Sequence, residues 1–313
     1  MYNFSYRETL RTAWHFTKKF KFLWFFGIFA SLATNGAEYD TIVRNFDTVK
    51  DFELKIEGLQ NFSLGDFVAA AWSSVVNYFT HNVFSALAII FAGILVSFGI
   101  IYLITVSQVA IIDGVARFRR KDNAEFIEGF FIGTKNFWPI FILNLFAKIV
   151  MYGLLLIFGL PLIYFYFSTK NFVWLSITSV LAFLVLIPLN LFFTFIIRYA
   201  SIYIILRGKK TFEALKQSLI LFRKNWLISL ENAVIMYVIN FGIIFVIISV
   251  LTLLGLPFSN TGYLFYFSIT TLAGAIITVF QFGVWTELFY CLEEGRGVAK
   301  LVRWFKKNPE EKK

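Results

Sequence analysis

Charge is scarce in this chain, and side chains that bind metals are scarcer. Only 15% of its 313 residues are Asp, Glu, Lys or Arg, against roughly a quarter in soluble domains. The single cysteine, Cys291, excludes an internal disulfide and a cysteine-rich metal site. It lies in an apolar run and reads as a packed thiol. The two histidines, His15 and His81, fall on segments assigned below to opposite sides of a membrane, so they cannot share a metal. HExxH, GxSxG, GxxxxGK[ST] and GxGxxG are all missing. No two carboxylates stand at a fixed spacing in an apolar setting. With no recognisable constellation, neither catalysis, nor a cofactor, nor a metal is expected; a lipid-modifying membrane enzyme is the outlying alternative.

What the chain has instead is apolar length. It is 58% hydrophobic and 20% aromatic, with a mean hydropathy of +0.72. No Asp, Glu, Lys or Arg occurs from Asn82 to Ile112, nor from Asn232 to Thr286. A bilayer core of roughly 30 Å needs about 20 apolar residues as helix, so the second stretch suffices for two spans and a turn. The fold class expected is all-α, a polytopic transmembrane bundle with six spans near 20–34, 82–112, 137–167, 172–206, 226–257 and 263–292.

The connecting segments alternate in charge. Residues 1–21 carry Arg7, Arg11, Lys18, Lys19 and Lys21 against Glu8, whereas 35–81 carry three basic and seven acidic groups. Residues 113–136 include Arg117, Arg119, Arg120, Lys121 and Lys135, and 207–225 hold six basic groups against Glu213. The turn at 168–171 has only Lys170, the turn at 258–262 has no charge, and seven basic groups follow Glu293. The positive-inside rule makes the basic segments cytoplasmic. The protein is then expected in a cell (cytoplasmic or inner) membrane with both termini in the cytoplasm, in agreement with an even number of crossings. The net charge of +10 flanks apolar helices, which suits anionic lipid headgroups rather than nucleic acid. Phe22–Ala33, followed by small residues, also fits a signal peptide, whose cleavage would leave five spans. Its match to later segments that cannot be signals favours a retained span.

Those matches indicate internal repetition. TFEALKQSLILFRKNW at 211–226 parallels DNAEFIEGFFIGTKNFW at 122–138, and Lys135-Asn136 and Lys224-Asn225 each precede a Trp-led span. YRETLRTAWHFTKKFKFLW opens the chain with a similar pattern, and VAKLVRWFKKN near its end is a partial copy. Gly159-Leu160-Pro161 recurs as Gly255-Leu256-Pro257. We read three parallel units, near 1–116, 117–206 and 207–292, with a basic tail over 293–313. Each has a basic amphipathic entry segment followed by a helical hairpin. The first hairpin carries the acidic outer loop 35–81, in which 66–80 has the pattern of an interfacial helix.

Polar residues inside the apolar runs are the site candidates, because they are costly in hydrocarbon and usually face a bundle interior or a cavity. The ionisable ones are Lys148, Arg198, Glu231 and Glu287; Asn144, Asn190, Asn232, Asn240 and Gln281 add polar groups. Arg198 and Glu287 are 89 residues apart, as are the two Lys-Asn pairs, so a pairing of Arg198 with Glu287 across the bundle is expected. Ordinary interhelical bonds are the simpler reading of the set. The second candidate is a headgroup surface at Lys209, Lys210, Lys216, Arg223 and Lys224 around the apolar stripe Phe212, Leu215, Leu219 and Phe222. Trp24, Trp138, Trp226 and Trp304 follow the basic clusters, as interface residues do.

The opening with Leu10, Ala13 and Trp14, the entries at 135–138 and 224–226 and the exits at 199–210 resemble a broad group of prokaryotic six-span proteins. That group includes the membrane domain attached to some bacterial glycerophosphodiester phosphodiesterases. The resemblance implies a compact helical membrane module; the residues after Arg296 are too few for the catalytic domain, so that activity does not carry over. The function expected is non-catalytic: organising the membrane, binding lipid or serving a membrane protein partner. A small-solute or lipid transporter is the alternative.

Overall fold

The computed structural model describes residues 6–34, 73, 83–122, 125–169, 172–256 and 260–295. The outer loop and its expected helix over 66–80, His81, Trp304 and the tail beyond 295 lie outside the described residues, apart from Ser73. In hydrocarbon every backbone polar group must bond internally, and the described residues accordingly form helices and no strand. These are α1 (Tyr6–Lys19), α2 (Leu23–Thr34), α3 (Val83–Arg120), α4 (Phe126–Lys135), α5 (Phe137–Thr169), α6 (Phe172–Arg207), α7 (Thr211–Leu253) and α8 (Asn260–Glu293).

The protein is an α-helical membrane bundle. Helices α3, α5, α6, α7 and α8 are long and apolar enough to cross a bilayer. The first expected span is shorter. The backbone breaks between α1 and α2, where the N–H groups of Leu23 and Trp24 bond back three residues to the carbonyls of Phe20 and Lys21, each at 3.0 Å. The indole N–H of Trp24 donates to the Thr17 carbonyl at 3.0 Å and braces the bend. The 12 residues of α2 cover about 18 Å at 1.5 Å per residue, less than the hydrocarbon thickness of roughly 30 Å.

Helices α3, α6 and α8 contact one another, and each of α2, α5 and α7 contacts two of them. Helix α2 meets α3 and α8, α5 meets α3 and α6, and α7 meets α6 and α8. The other two short helices add to this arrangement: α1 lies against α8 and α4 against α3. The largest core cluster, with Ile112, Ile140, Tyr199, Trp285 and Phe289, gathers near the ends of α3, α6 and α8 that carry the charges. We call this the basic end. Away from it side chains are widely exposed; on α3 every residue from Leu87 to Phe98 is exposed.

Three local features recur. The residues that end α3, α6 and α8 have positive φ: Lys121 (62°), Gly208 (61°) and Gly295 (69°), at successive spacings of 87 residues. Second, Asn136 (φ −98°, ψ 13°) separates α4 from α5, and Asn225 (φ −129°, ψ 28°) bends α7. Each asparagine donates its side-chain N–H to the carbonyl four residues earlier, Ile132 or Leu221, at 3.1 Å. Side-chain competition of this kind bends helices. Third, a small buried residue precedes each break by seven positions: Ala13 before Phe20, Gly129 before Asn136 and Ser218 before Asn225.

The segment 211–224 is thus a helix set off from the long apolar part of α7 by the kink at Asn225. Its buried line is Ala214, Ser218 and Leu221. The expected apolar stripe is divided: Leu215 and Phe222 pack against the core, while Phe212 is 80% exposed.

Glycine permits the tightest helix contacts. A Cβ on Gly27 would meet the Ala275 carbonyl oxygen at 2.5 Å, and one on Gly133 would meet the Val106 carbonyl oxygen at 2.8 Å. Backbone opposite backbone cannot yield as a flexible side chain can. Gly27→Ala and Gly133→Ala should each destabilise the bundle by about 1–3 kcal/mol, the usual cost of overpacking. Gly99→Ala and Gly153→Ala, with nothing within 4 Å of the added carbon, should not. Thermal denaturation in detergent, followed by light scattering or tryptophan fluorescence, measures the difference.

Candidate functional site

Polar side chains concentrate at the basic end. Arg119, in the last turn of α3, donates from Nη1 to Glu287 Oε2 at 3.1 Å and from Nη2 to Glu294 Oε1 at 2.7 Å. Its guanidinium also lies over the Tyr290 ring, 4.4 Å from the centroid. Glu287 and Tyr290 on α8 and Glu294 just past its end follow at three- and four-residue steps, which places them on one side. Arg207, the last residue of α6, holds Glu293 with two N–H bonds, Nη2 at 2.5 Å and Nε at 3.2 Å. Arg117 bonds Asp113 at 2.8 Å, one turn earlier on α3, and Glu128 on α4. A water-sized notch beside this pair is lined by Phe22, Asp113, Gly114, Arg117, Glu125 and Gly129. The arrangement ties α3, α4, α6 and α8 together through charge.

The ionisable candidates from the sequence do not converge. Glu287 is buried, but the arginine that holds it is Arg119, not Arg198. Arg198 lies over the indole of Trp285, 4.8 Å from its centroid. Trp285 and Glu287 are two residues apart, about 200° around a helix, so Arg198 faces a different side of α8. Glu231 accepts a hydrogen bond from the Tyr6 hydroxyl and links α7 to α1. Lys148 is exposed on α5.

The amide candidates divide similarly. Asn144 donates to Gln108 Oε1 at 3.1 Å and joins α5 to α3. Asn190 is exposed, and its carbonyl accepts from the Thr194 hydroxyl. Asn232 is 1% exposed, and its Nδ2 is buried without a partner, as are Asn240 Oδ1, Gln281 Oε1, Trp285 Nε1 and Thr286 Oγ1. Nearby, the hydroxyls of Tyr199 and Ser229 are 2.7 Å apart and connect α6 to α7.

The headgroup candidates all lie in or just before the first part of α7. Lys209 is engaged, its ammonium 2.5 Å from Glu213. Lys210, Lys216, Arg223 and Lys224 are exposed. They stand among the exposed apolar side chains Phe212, Ile220 and Trp226. A similar mixture occurs at the other two breaks: exposed Lys135 close to exposed Trp138, and Lys18 stacked 4.8 Å over exposed Trp14.

Sequence reasoning did not single out Arg119, Arg117, Tyr290, Glu293 or Glu294 as a network. Two signals were present: Asp113 and Arg117 at the four-residue spacing of a helical ion pair, and two adjacent glutamates at the end of α8, close in sequence to the basic tail.

Arg119→Met would leave the Glu287 carboxylate buried without its cation. Stability should fall by about 1–3 kcal/mol, the cost of stranding a buried polar group. Adding Glu287→Gln removes the stranded charge and should recover part of the loss. The unfolding midpoints of the two single variants and the double variant, compared with the parent, test this.

Comparison with protein-family models, curated proteins and solved structures finds no match to this chain.

Proposed function

We propose that this protein is a non-catalytic membrane module whose basic end rests on anionic headgroups of the cytoplasmic leaflet. The supporting observation is the mixture at the helix breaks, where exposed Lys216, Arg223 and Lys224 flank exposed Phe212, Ile220 and Trp226. Apolar and aromatic side chains enter the interfacial region while the cations meet phosphates. The topology in this reading has the basic end inside, as the charge alternation requires. The chain is read as three parallel units. The left-handed residues at 121, 208 and 295, the two asparagine bends and the small residues before each break support that division. The likeness to the membrane domain attached to some glycerophosphodiester phosphodiesterases belongs to the same proposal.

A small-solute or lipid transporter is the second reading. The buried, unpartnered polar atoms of Asn232, Gln281, Trp285 and Thr286 favour it. Against it, Lys148, Arg198, Glu231 and Glu287 do not converge: Lys148 is exposed on α5, Arg198 lies over Trp285, Glu231 meets Tyr6 and Glu287 meets Arg119.

Native mass spectrometry of protein extracted gently from mixed phosphatidylglycerol and phosphatidylcholine bilayers separates the outcomes. The parent should retain phosphatidylglycerol in preference. The triple variant Lys216→Glu, Arg223→Glu, Lys224→Glu should lose that preference, since about 1 kcal/mol per cation near an anionic surface is removed and then reversed. An unchanged preference would contradict the headgroup reading.

A further inference from the structure

Lys148 is an exposed cation in the middle of an apolar helix, and it makes no ion pair or hydrogen bond to the described residues. Trp138, exposed near the start of α5, marks an interface level, as tryptophans commonly do. Lys148 comes ten residues later, about 15 Å along the helix, which is half of a bilayer core of roughly 30 Å. A lysine stem extends roughly 6 Å, too little to bring its ammonium to the headgroups from that depth. An isolated charge at mid-membrane is unfavourable and ordinarily finds a partner.

The surroundings of Lys148 fit a helix. Trp138, Ile142, Leu145, Ile149, Tyr152 and Leu156 are all exposed, and they follow one another at steps of four, three, four, three and four residues. Phe146, Leu155, Ile157 and Leu160 are exposed as well, so the open face is broad, and within it the first six stand at the 3.5-residue period of a seam between two helices that wrap left-handedly. Lys148 directly precedes Ile149 and sits at the edge of the seam, where charged residues set partner choice.

We propose that this face of α5 is the docking surface for a transmembrane helix of a different protein, one carrying an Asp or Glu at mid-membrane depth. Charge complementarity selects that occupant over a second copy. Two copies joined symmetrically through α5 would bring Lys148 against its own counterpart. The carboxylates within this chain's described spans are engaged: Asp113 with Arg117, Glu231 with Tyr6 and Glu287 with Arg119. A lipid phosphate is excluded by depth. The inference is independent of the headgroup reading, which concerns the basic end and not this face.

The test uses the full chain in phosphatidylcholine vesicles, with labelled leucine-rich transmembrane peptides bearing Glu, Lys or only Leu at the centre. Energy transfer reports association. The Glu peptide should bind the parent about threefold or more tightly than the Leu peptide, the scale of polar contacts between membrane helices. Lys148→Met should abolish that difference, and Lys148→Glu should transfer the preference to the Lys peptide. A photoreactive residue at Ile149, with Lys148 kept, should label the Glu peptide, whereas one at Leu184 on α6 should not. Equal binding of Glu and Leu peptides, binding unaffected by Lys148→Met, or equal labelling from both positions would overturn the proposal.

Discussion

Inside a bilayer, apolar side chains gain nothing by turning away from lipid, so helices associate where their backbones can approach closely. Close approach is what this bundle depends on. At Gly27 and Gly133 a neighbouring helix lies so near that a single added carbon would strike a backbone carbonyl oxygen. At Gly283 the added carbon would stand 3.3 Å from the Cβ of Ala13. These contacts set α2 against α8, α4 against α3 and α1 against α8. Beside them Phe16, Phe20, Leu23 and Phe26 pack with Ala110, Val115 and Val279 in a cluster separate from that of Trp285, Tyr199 and Phe289. The contacts of α1 and α2 with α8 also join the start of the described chain to its end, so the helices close into a ring instead of extending as a row.

Charge completes what close packing begins. The helices that contact one another, α3, α6 and α8, finish together at the basic end, where Arg119 and Arg207 join them through Glu287, Glu293 and Glu294. Exposed ion pairs alone contribute little. Glu287 is different because it is buried, and its carboxylate depends on one guanidinium from another helix. Other cations, Lys210, Lys216, Arg223 and Lys224 in or just before the early part of α7 and Lys18 and Lys135 near the other two breaks, are exposed. At this end Arg117, Arg119 and Arg207 serve internal cohesion, while Lys210, Lys216, Arg223 and Lys224 are exposed. Lys148, far from that end, belongs to neither group.

Much of this architecture was legible in the sequence. Charge-free runs marked α3, α7 and α8, and charge-poor ones α5 and α6, because burial in hydrocarbon leaves few other compositions. The Lys-Asn pairs marked both asparagine bends. The shortness of the first apolar run was visible as well, though not the turn at Phe20–Phe22. The partner of Glu287 was not legible, and the cause is a phase error. Arg198 and Glu287 are 89 residues apart, matching the Lys-Asn spacing, but the left-handed residues that end α6 and α8 are 87 apart. A slip of two residues rotates a side chain by about 200°. In the frame of the helix ends, Arg198 corresponds to Trp285, the residue over which it lies, and Glu287 corresponds to Asp113. Contacts across 168 residues, such as Arg119 with Glu287, depend on rotations that periodicity alone does not fix.

Closure of the ring is the central claim, and disulfide trapping tests it most directly. In a Cys291→Ser background, Ala13→Cys with Gly283→Cys and Ala110→Cys with Gly129→Cys place Cβ atoms 3.3 and 3.5 Å apart, near the separation of about 3.8 Å found in disulfides. Both pairs should cross-link within one chain under mild oxidation in the membrane, while the exchanged pair, Ala13→Cys with Gly129→Cys, should not. Cross-linking of Ala110 with Gly129 but not of Ala13 with Gly283 would mean that α1 does not dock on α8, and would contradict the joining of the chain's start to its end through that contact.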